Sequence, residues 1–171
     1  MMKRTLLLAL LLIAPFVVVD AVDAEQRQAP DFTFEDINPA SETFGKKITL
    51  SEAYAEEGVV LNFLASWCGY CWKELPYLQE MSAAGEANVV GVAADEYGAP
   101  PELVLSLVKR AELTIPILWV DEQTAKALEA DYAHQMLPAT YLIDAEGMIV
   151  KLLEGAVEPE QLRSEIARAL N

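Results

Sequence analysis

The distribution of apolar and polar residues predicts an α/β domain. Four runs rich in β-branched and aromatic residues have the composition of buried strands: the run that starts at Val59, and 88–94, 115–120 and 141–143. Between the first three of these runs, apolar residues recur at helical spacing, in 75–81 and 103–111. Strands that alternate with helices in this way predict parallel strands, right-handed crossovers and a central sheet with helices on both faces.

Shorter patterns extend this core at both ends. Before it, Pro30–Phe34 alternates as a short strand does and Ile48–Leu50 predicts a second strand, with Ser51 placed to cap a helix. After it, 144–147 predicts a hairpin turn, and Met148–Leu153 follows as the antiparallel partner of 141–143.

Two further helices are predicted in the second half of the chain. Asp121 is placed to cap a helix in which Ala125, Leu128 and Tyr132 share one face. The last helix, 158–170, is amphipathic and has acidic residues at its start and a basic residue near its end, which suits the helix dipole.

The N-terminus has the pattern of a targeting segment. Lys3 and Arg4 precede an apolar run of 14 residues, 6–19, and small residues follow at 22–24. We expect a signal peptide over 1–24 with cleavage after Ala24, because this run is shorter than the roughly 20 residues of a transmembrane helix. An uncleaved N-terminal anchor is the alternative, and either reading predicts an exported protein.

Length and charge limit the remaining chain to one domain with few kinds of partner. At 171 residues the chain has room for a single core, so 25–171 is predicted to be one domain. The formal net charge of −15 argues against nucleic acid and against anionic lipid surfaces. Membrane attachment is therefore expected only if residues 1–24 are retained.

The chemistry of the chain is concentrated directly after the first buried strand. Cys68 and Cys71 lie at the start of a predicted helix, where free N–H groups and the helix dipole stabilise a thiolate. We expect Cys68 to attack a substrate disulfide and Cys71 to resolve the mixed disulfide, because this spacing lets the two cysteines pair.

Two other uses of the cysteines remain open from the residues alone. A structural disulfide across two intervening residues would restrict the unfolded chain very little. A zinc site needs four ligands, and the chain has two cysteines and a single histidine, His134. No metal or other cofactor is expected beyond a redox-active disulfide, and a copper carrier that uses Cys68, Cys71 and His134 is a minor alternative.

The residues around the cysteines resemble a known family. Trp67-Cys68-x-x-Cys71 follows a buried strand, Glu74 lies three residues after the second cysteine and Pro76 five residues after it. This combination resembles the TlpA/ResA-like branch of extracytoplasmic thioredoxin-fold thiol-disulfide oxidoreductases, over about residues 29–170. The resemblance implies a thioredoxin fold with an added N-terminal β-hairpin.

The same resemblance implies an activity and partners. The enzyme is expected to reduce disulfides of client proteins, with apocytochrome c or a copper-site protein as client and a membrane thiol donor as electron source. A disulfide oxidant or isomerase is the alternative, since Gly69-Tyr70 also occurs between the cysteines of periplasmic isomerases. Those isomerases carry a dimerisation region that this chain lacks.

The resemblance also implies roles for residues outside the cysteine motif. Pro138 corresponds to the family's cis-proline, which lies against the disulfide, and the main chain of Leu137 would then pair with an extended substrate. Asn62 stands where thioredoxins carry a buried aspartate, which leaves Glu74 as the candidate proton acceptor for Cys71. The alternative for Glu74 is a solvated glutamate in the first turn of the helix. Glu96 falls where the resemblance implies an acidic group near the site, and the alternative is an exposed loop residue.

Three aromatic residues surround the cysteines in sequence. Trp67, Tyr70 and Trp72 predict an aromatic rim around Cys68 that docks a protein substrate. Local packing is the alternative role for these side chains.

Overall fold

The computed structural model describes residues 27–95 and 97–170, so the predicted signal peptide and Glu96 lie outside the described residues. The described elements, in chain order, are β1 (Arg27–Gln28), β2 (Thr33–Glu35), β3 (Lys47–Thr49), α1 (Leu50–Tyr54), β4 (Val59–Leu64), α2 (Cys71–Ala83), β5 (Val89–Ala94), α3 (Pro101–Arg110), β6 (Ile117–Val120), α4 (Glu122–Tyr132), β7 (Ala139–Ile143), β8 (Met148–Glu154) and α5 (Pro159–Leu170). In this part of the chain, no helix has the length and apolar character needed to cross a bilayer.

Six strands form a central mixed sheet in the order β1-β8-β7-β4-β5-β6. Strands β4, β5 and β6 are parallel, as their alternation with helices predicts, whereas β7 runs antiparallel to β4 and β8 antiparallel to β7. Strands β2 and β3 form a separate antiparallel pair, which confirms the predicted N-terminal hairpin.

Helices cover both faces of the sheet because the central strand is apolar on both sides. Val60 and Leu64 of β4 belong to a core cluster that includes side chains of α2, α3 and α5. Leu61 and Phe63 belong to a second cluster with side chains of α1 and α4. The α/β thioredoxin-type architecture predicted from the sequence is therefore confirmed.

Of the two helix caps predicted from the local sequence, at Asp121 and Ser51, the structure contains one. Asp121 caps α4 as predicted, since its carboxylate accepts a hydrogen bond from the backbone N–H of Thr124 at 2.8 Å. The predicted cap at Ser51 is wrong: Ser51 lies inside α1, and its N–H and hydroxyl donate to the carboxylate of Asp31 at 2.9 and 2.7 Å. A carboxylate 20 residues earlier in the chain therefore accepts a backbone N–H in the first turn of α1, in place of a local capping side chain.

Candidate active site

Cys68 and Cys71 form a disulfide where the carboxyl end of β4 leads into α2. Their sulfurs are 2.06 Å apart and their Cα atoms 5.3 Å apart. From the sequence, both cysteines are predicted at the start of the helix. In the structure α2 begins at Cys71, and Cys68 lies in the turn that precedes the helix. The pair therefore lies at the amino end of a 13-residue helix, where the helix dipole favours negative charge.

The two sulfurs have different surroundings. Cys68 is 5% exposed, whereas Cys71 is completely buried. The backbone N–H of Cys71 lies 3.1 Å from Sγ of Cys68 and donates to it, which in the reduced protein would stabilise a thiolate there. Cys68 is thus the sulfur that a substrate can reach, and Cys71 is the internal partner.

Glu74 lies one helical turn after Cys71 and is almost fully buried. Its side chain is 2% exposed, so the alternative of a solvated glutamate is wrong. Oε1 accepts hydrogen bonds from Nδ2 of Asn62 at 3.2 Å and from the hydroxyl of Thr140 at 3.0 Å, and Oε2 accepts from the N–H of Val157 at 3.2 Å. Burial raises the pKa of Glu74, and these three hydrogen bonds oppose that rise in part.

Asn62 joins β4 to this carboxylate. Its Nδ2 also donates to Oγ1 of Thr140 at 2.8 Å, so both donor positions of the amide are used. Its Oδ1 is buried and has no hydrogen-bond partner among the described residues. The neutral amide therefore supports Glu74 without adding a second ionisable group to this contact.

The loop before β7 contains the predicted cis-proline. The Leu137–Pro138 peptide bond is cis, which confirms the conformation that the resemblance implied. Oε1 of Glu154 accepts hydrogen bonds from the N–H groups of Gln135 and Met136, at 2.5 and 3.3 Å, and so fixes the loop that leads to Pro138. Pairing of a substrate with Leu137 stays a prediction.

The predicted aromatic rim divides into exposed and anchored members. Trp67 and Tyr70 are 53% and 64% exposed, and Trp67 meets Tyr97 edge-on with ring centroids 5.9 Å apart. Tyr97, itself exposed, was not anticipated as part of this surface. These side chains are available to a docking partner, which is the role predicted for Trp67 and Tyr70.

Trp72 differs from the other two. It is half-buried and packs against the core cluster that contains the two cysteines. Its indole N–H donates to the carbonyl of Ala65 at 3.1 Å. Local packing is therefore part of its role, and a contact with substrate stays a prediction.

Asp95 supports the cysteine motif from the end of β5. This buried carboxylate accepts hydrogen bonds from the N–H and the hydroxyl of Ser66, at 3.1 and 2.5 Å, two residues before Cys68. Sequence reasoning selected its neighbour Glu96 instead, which lies outside the described residues. An acidic residue at the end of an apolar strand was the signal that could have identified Asp95.

His134 lies at the end of α4, packed against Phe63 with ring centroids 5.0 Å apart. Within residues 27–95 and 97–170, no group of three or more His, Cys, Asp or Glu side chains is arranged to hold a metal ion. The copper alternative, which needs His134 beside both cysteines, therefore gains no geometric support from the described residues.

Comparison with known proteins agrees with this geometry. The sequence profile of the AhpC/TSA family matches residues 26–152. The chain belongs to this family. Its relatives include the thiol-disulfide oxidoreductase ResA of Geobacillus thermodenitrificans, 31% identical over 97% of this chain and 94% of the relative, and ResA of Bacillus subtilis, 32% identical over 91% and 84%.

A solved structure has the same fold as this chain. StoA from Bacillus subtilis superposes with a TM-score of 0.63 at 26% identity, over 80% of this chain and 96% of that one. This AhpC/TSA family member is thus a ResA-like thiol-disulfide oxidoreductase, with Cys68 and Cys71 at disulfide distance.

Proposed function

We propose that this oxidoreductase is an exported reductant of client-protein disulfides. The observation that carries the proposal is the burial of Glu74 one turn from Cys71 in α2. A carboxylate with a raised pKa at that position is suited to take a proton from the resolving thiol. A neutral Asn62, in place of an acid, leaves this task to Glu74.

The reaction begins with the dithiol form. The thiolate of Cys68 attacks one sulfur of the client disulfide, a Cys68–client bond forms, and the second client sulfur leaves as a thiolate that takes a proton from water. Glu74 then accepts the proton of Cys71, and the Cys71 thiolate attacks Sγ of Cys68. The remaining client sulfur leaves, so the client gains two electrons and the protein ends in the disulfide form.

Continued turnover needs a source of two electrons outside the cell's reducing interior. A membrane thiol donor would supply them by exchange with the Cys68–Cys71 disulfide, because exported thiols are otherwise held oxidised. The targeting pattern of residues 1–24 supports export, and the family resemblance supports apocytochrome c or a copper-site protein as client. The redox-active disulfide is the only redox group that this scheme requires.

The equilibrium reduction potential tests the direction of electron flow. The purified protein is equilibrated with glutathione and with dithiothreitol buffers, and the fraction in the disulfide form is measured by thiol alkylation. We expect a value nearer to about −270 mV than to about −120 mV, the span between thioredoxin and a strong oxidant. A value near −120 mV would instead identify an oxidant or isomerase and would remove the reductive role of Glu74.

A further inference from the structure

A cavity of about 330 Å³ opens beside the redox centre. Its wall includes Trp67 and Leu137, which immediately precede Cys68 and the cis-proline, together with Met136 and two residues of the α4 region, Glu129 and His134. A polypeptide segment bonded to Cys68 and extended along Leu137 would therefore place a neighbouring side chain at this cavity.

The hydrogen bonds around Tyr141 define what His134 offers to an occupant. The hydroxyl of Tyr141 donates to the carbonyl of Tyr132 at 2.8 Å, and it lies 3.3 Å from Nδ1 of His134. Since that hydroxyl has a single hydrogen, it can only accept from Nδ1–H of the histidine. Burial lowers the pKa of His134 and favours the neutral ring. Nε2 is then an acceptor that has no partner among the described residues.

The charged groups that act on His134 are acidic. Glu129 lines it, and Glu154 holds the adjoining loop, and both carboxylates favour positive charge at His134. Among the described residues, those that line the cavity include no lysine or arginine. The whole protein has a net charge of −15, so its field also favours a cationic partner.

From these observations we infer that the cavity binds the lysine or arginine side chain of a client residue next to the attacked cysteine. The aliphatic stem packs on Trp67, Met136 and Leu137, and the cationic group meets Glu129 and Nε2 of His134. The inference rests on the proposed function, because it requires a polypeptide disulfide as substrate. It adds a specificity-determining pair, Glu129 and His134, to the cysteines.

The test measures capture of peptides by the Cys71→Ser variant of the whole protein. Each peptide has one cysteine, activated as a mixed disulfide with thionitrobenzoate, and a neighbouring Lys, Glu or norleucine. Cys68 attacks the peptide sulfur, and the coloured thionitrobenzoate that leaves reports the rate. Each rate is divided by that of 2-mercaptoethanol with the same peptide, which removes differences in peptide reactivity.

We expect the Lys peptide to be captured about threefold faster than the Glu peptide at low salt, the factor of a partly screened ion pair. The exposed Glu129 is changed to Gln, with Glu146→Gln in the β7–β8 turn as the control of equal charge. His134→Phe keeps an aromatic ring against Phe63 but removes Nε2. Glu129→Gln and His134→Phe should each reduce the preference, and Glu146→Gln should preserve it.

Three results would overturn the inference and leave the proposed function intact. Equal normalised rates for the Lys and Glu peptides would show that the cavity does not select charge. Equal effects of Glu129→Gln and Glu146→Gln would assign any preference to net charge alone, and a preference that survives both cavity variants would place it elsewhere. Failure to capture any peptide would overturn the proposed function itself, and the inference with it.

Discussion

Asn62 donates its side-chain amide to Oε1 of Glu74 over 3.2 Å, and both side chains are buried. Asn62 is therefore a neutral partner of this carboxylate, and it cannot take up the proton of Glu74 as an acidic side chain at position 62 could. The pKa of Glu74 is set by its burial, against the three hydrogen bonds that it accepts. Changes in this cluster should accordingly be visible in the pH dependence of the enzyme.

Replacing Glu74 by Gln should slow resolution of a mixed disulfide by about hundredfold, the lower end of what a general base contributes. In the unaltered protein the rate should fall as pH drops through the raised pKa of Glu74, because the carboxylate becomes protonated. The variant should lack this dependence. Stopped-flow reaction of the reduced protein with a disulfide peptide measures the step, and Glu146→Gln is the matched control. An unaltered rate and pH profile would exclude Glu74 as the proton acceptor.

Glu74 should also affect stability in a pH-dependent way. Its pKa in the folded protein is raised above the ordinary value of 4.5. Between the pKa of the unfolded chain and that of the folded chain, the folded chain therefore binds more protons than the unfolded chain. The contribution of Glu74 to the free energy of unfolding must then fall as pH rises, by at most about 1.4 kcal/mol per pH unit. Urea unfolding of the oxidised protein and of Glu74→Gln at several pH values measures the difference. A difference that stays constant with pH would contradict the raised pKa.

Replacing Asn62 by Leu should raise the pKa of Glu74 further, because the carboxylate loses a hydrogen-bond donor that stabilises its charge. A loss of about 1.4 kcal/mol corresponds to about one pH unit. The acid limb of the resolution rate should move to higher pH by that amount. Thr140→Val removes the second donor and should move the limb in the same direction. If neither variant moves it, the limb belongs to another group.

Replacing Tyr70 by Ala should weaken substrate capture without altering stability. Its ring is 64% exposed, so its removal uncovers little of the core. Capture of a client peptide by the Cys71→Ser variant should slow several-fold if the ring is a docking contact. Thermal unfolding provides the control, since its midpoint should stay unchanged. Unchanged capture would remove Tyr70 from the docking surface.

Replacing Trp72 by Ala should lower stability, in contrast to Tyr70→Ala. Its half-buried ring packs on the core, and its N–H holds the carbonyl of Ala65. We expect a loss of about 1–3 kcal/mol in the free energy of unfolding, measured by urea denaturation of the oxidised protein. The same variant should weaken peptide capture if the ring also touches substrate, while the reduction potential stays unchanged. A loss of capture without a loss of stability would make Trp72 purely a docking residue.

The parts of the site that the sequence predicts are those fixed by neighbours along the chain. The strand before Cys68, the helix after it and the capping role of Asp121 depend on residues within one or two turns. The hydrogen bonds of Glu74 do not, because Thr140 and Val157 lie 66 and 83 residues away. A threonine within an apolar strand gave only a weak signal, and a backbone N–H gave none.

Tertiary contacts also explain why the cap predicted at Ser51 is wrong and why Trp72 is partly buried. Ser51 has the residue type of a helix cap, but the carboxylate of Asp31 from 20 residues earlier takes its N–H and hydroxyl. Trp72 looks in sequence like the third member of an exposed aromatic set, yet the helix turns it toward Ala65. In both cases the contact that the side chain makes depends on a three-dimensional neighbour that residue type alone does not reveal.

Because Cys71 is completely buried, a client can reach and bond to Cys68 alone. After a client is joined to Cys68, its release by the internal route waits on deprotonation and attack by a group that no solvent molecule or second client reaches. The lifetime of the covalent complex therefore depends on how fast Cys71 is deprotonated and attacks, and on how readily the client thiolate leaves. Every client held on Cys68 is thus released by the internal route through the same step, the attack of the buried Cys71 on Sγ of Cys68.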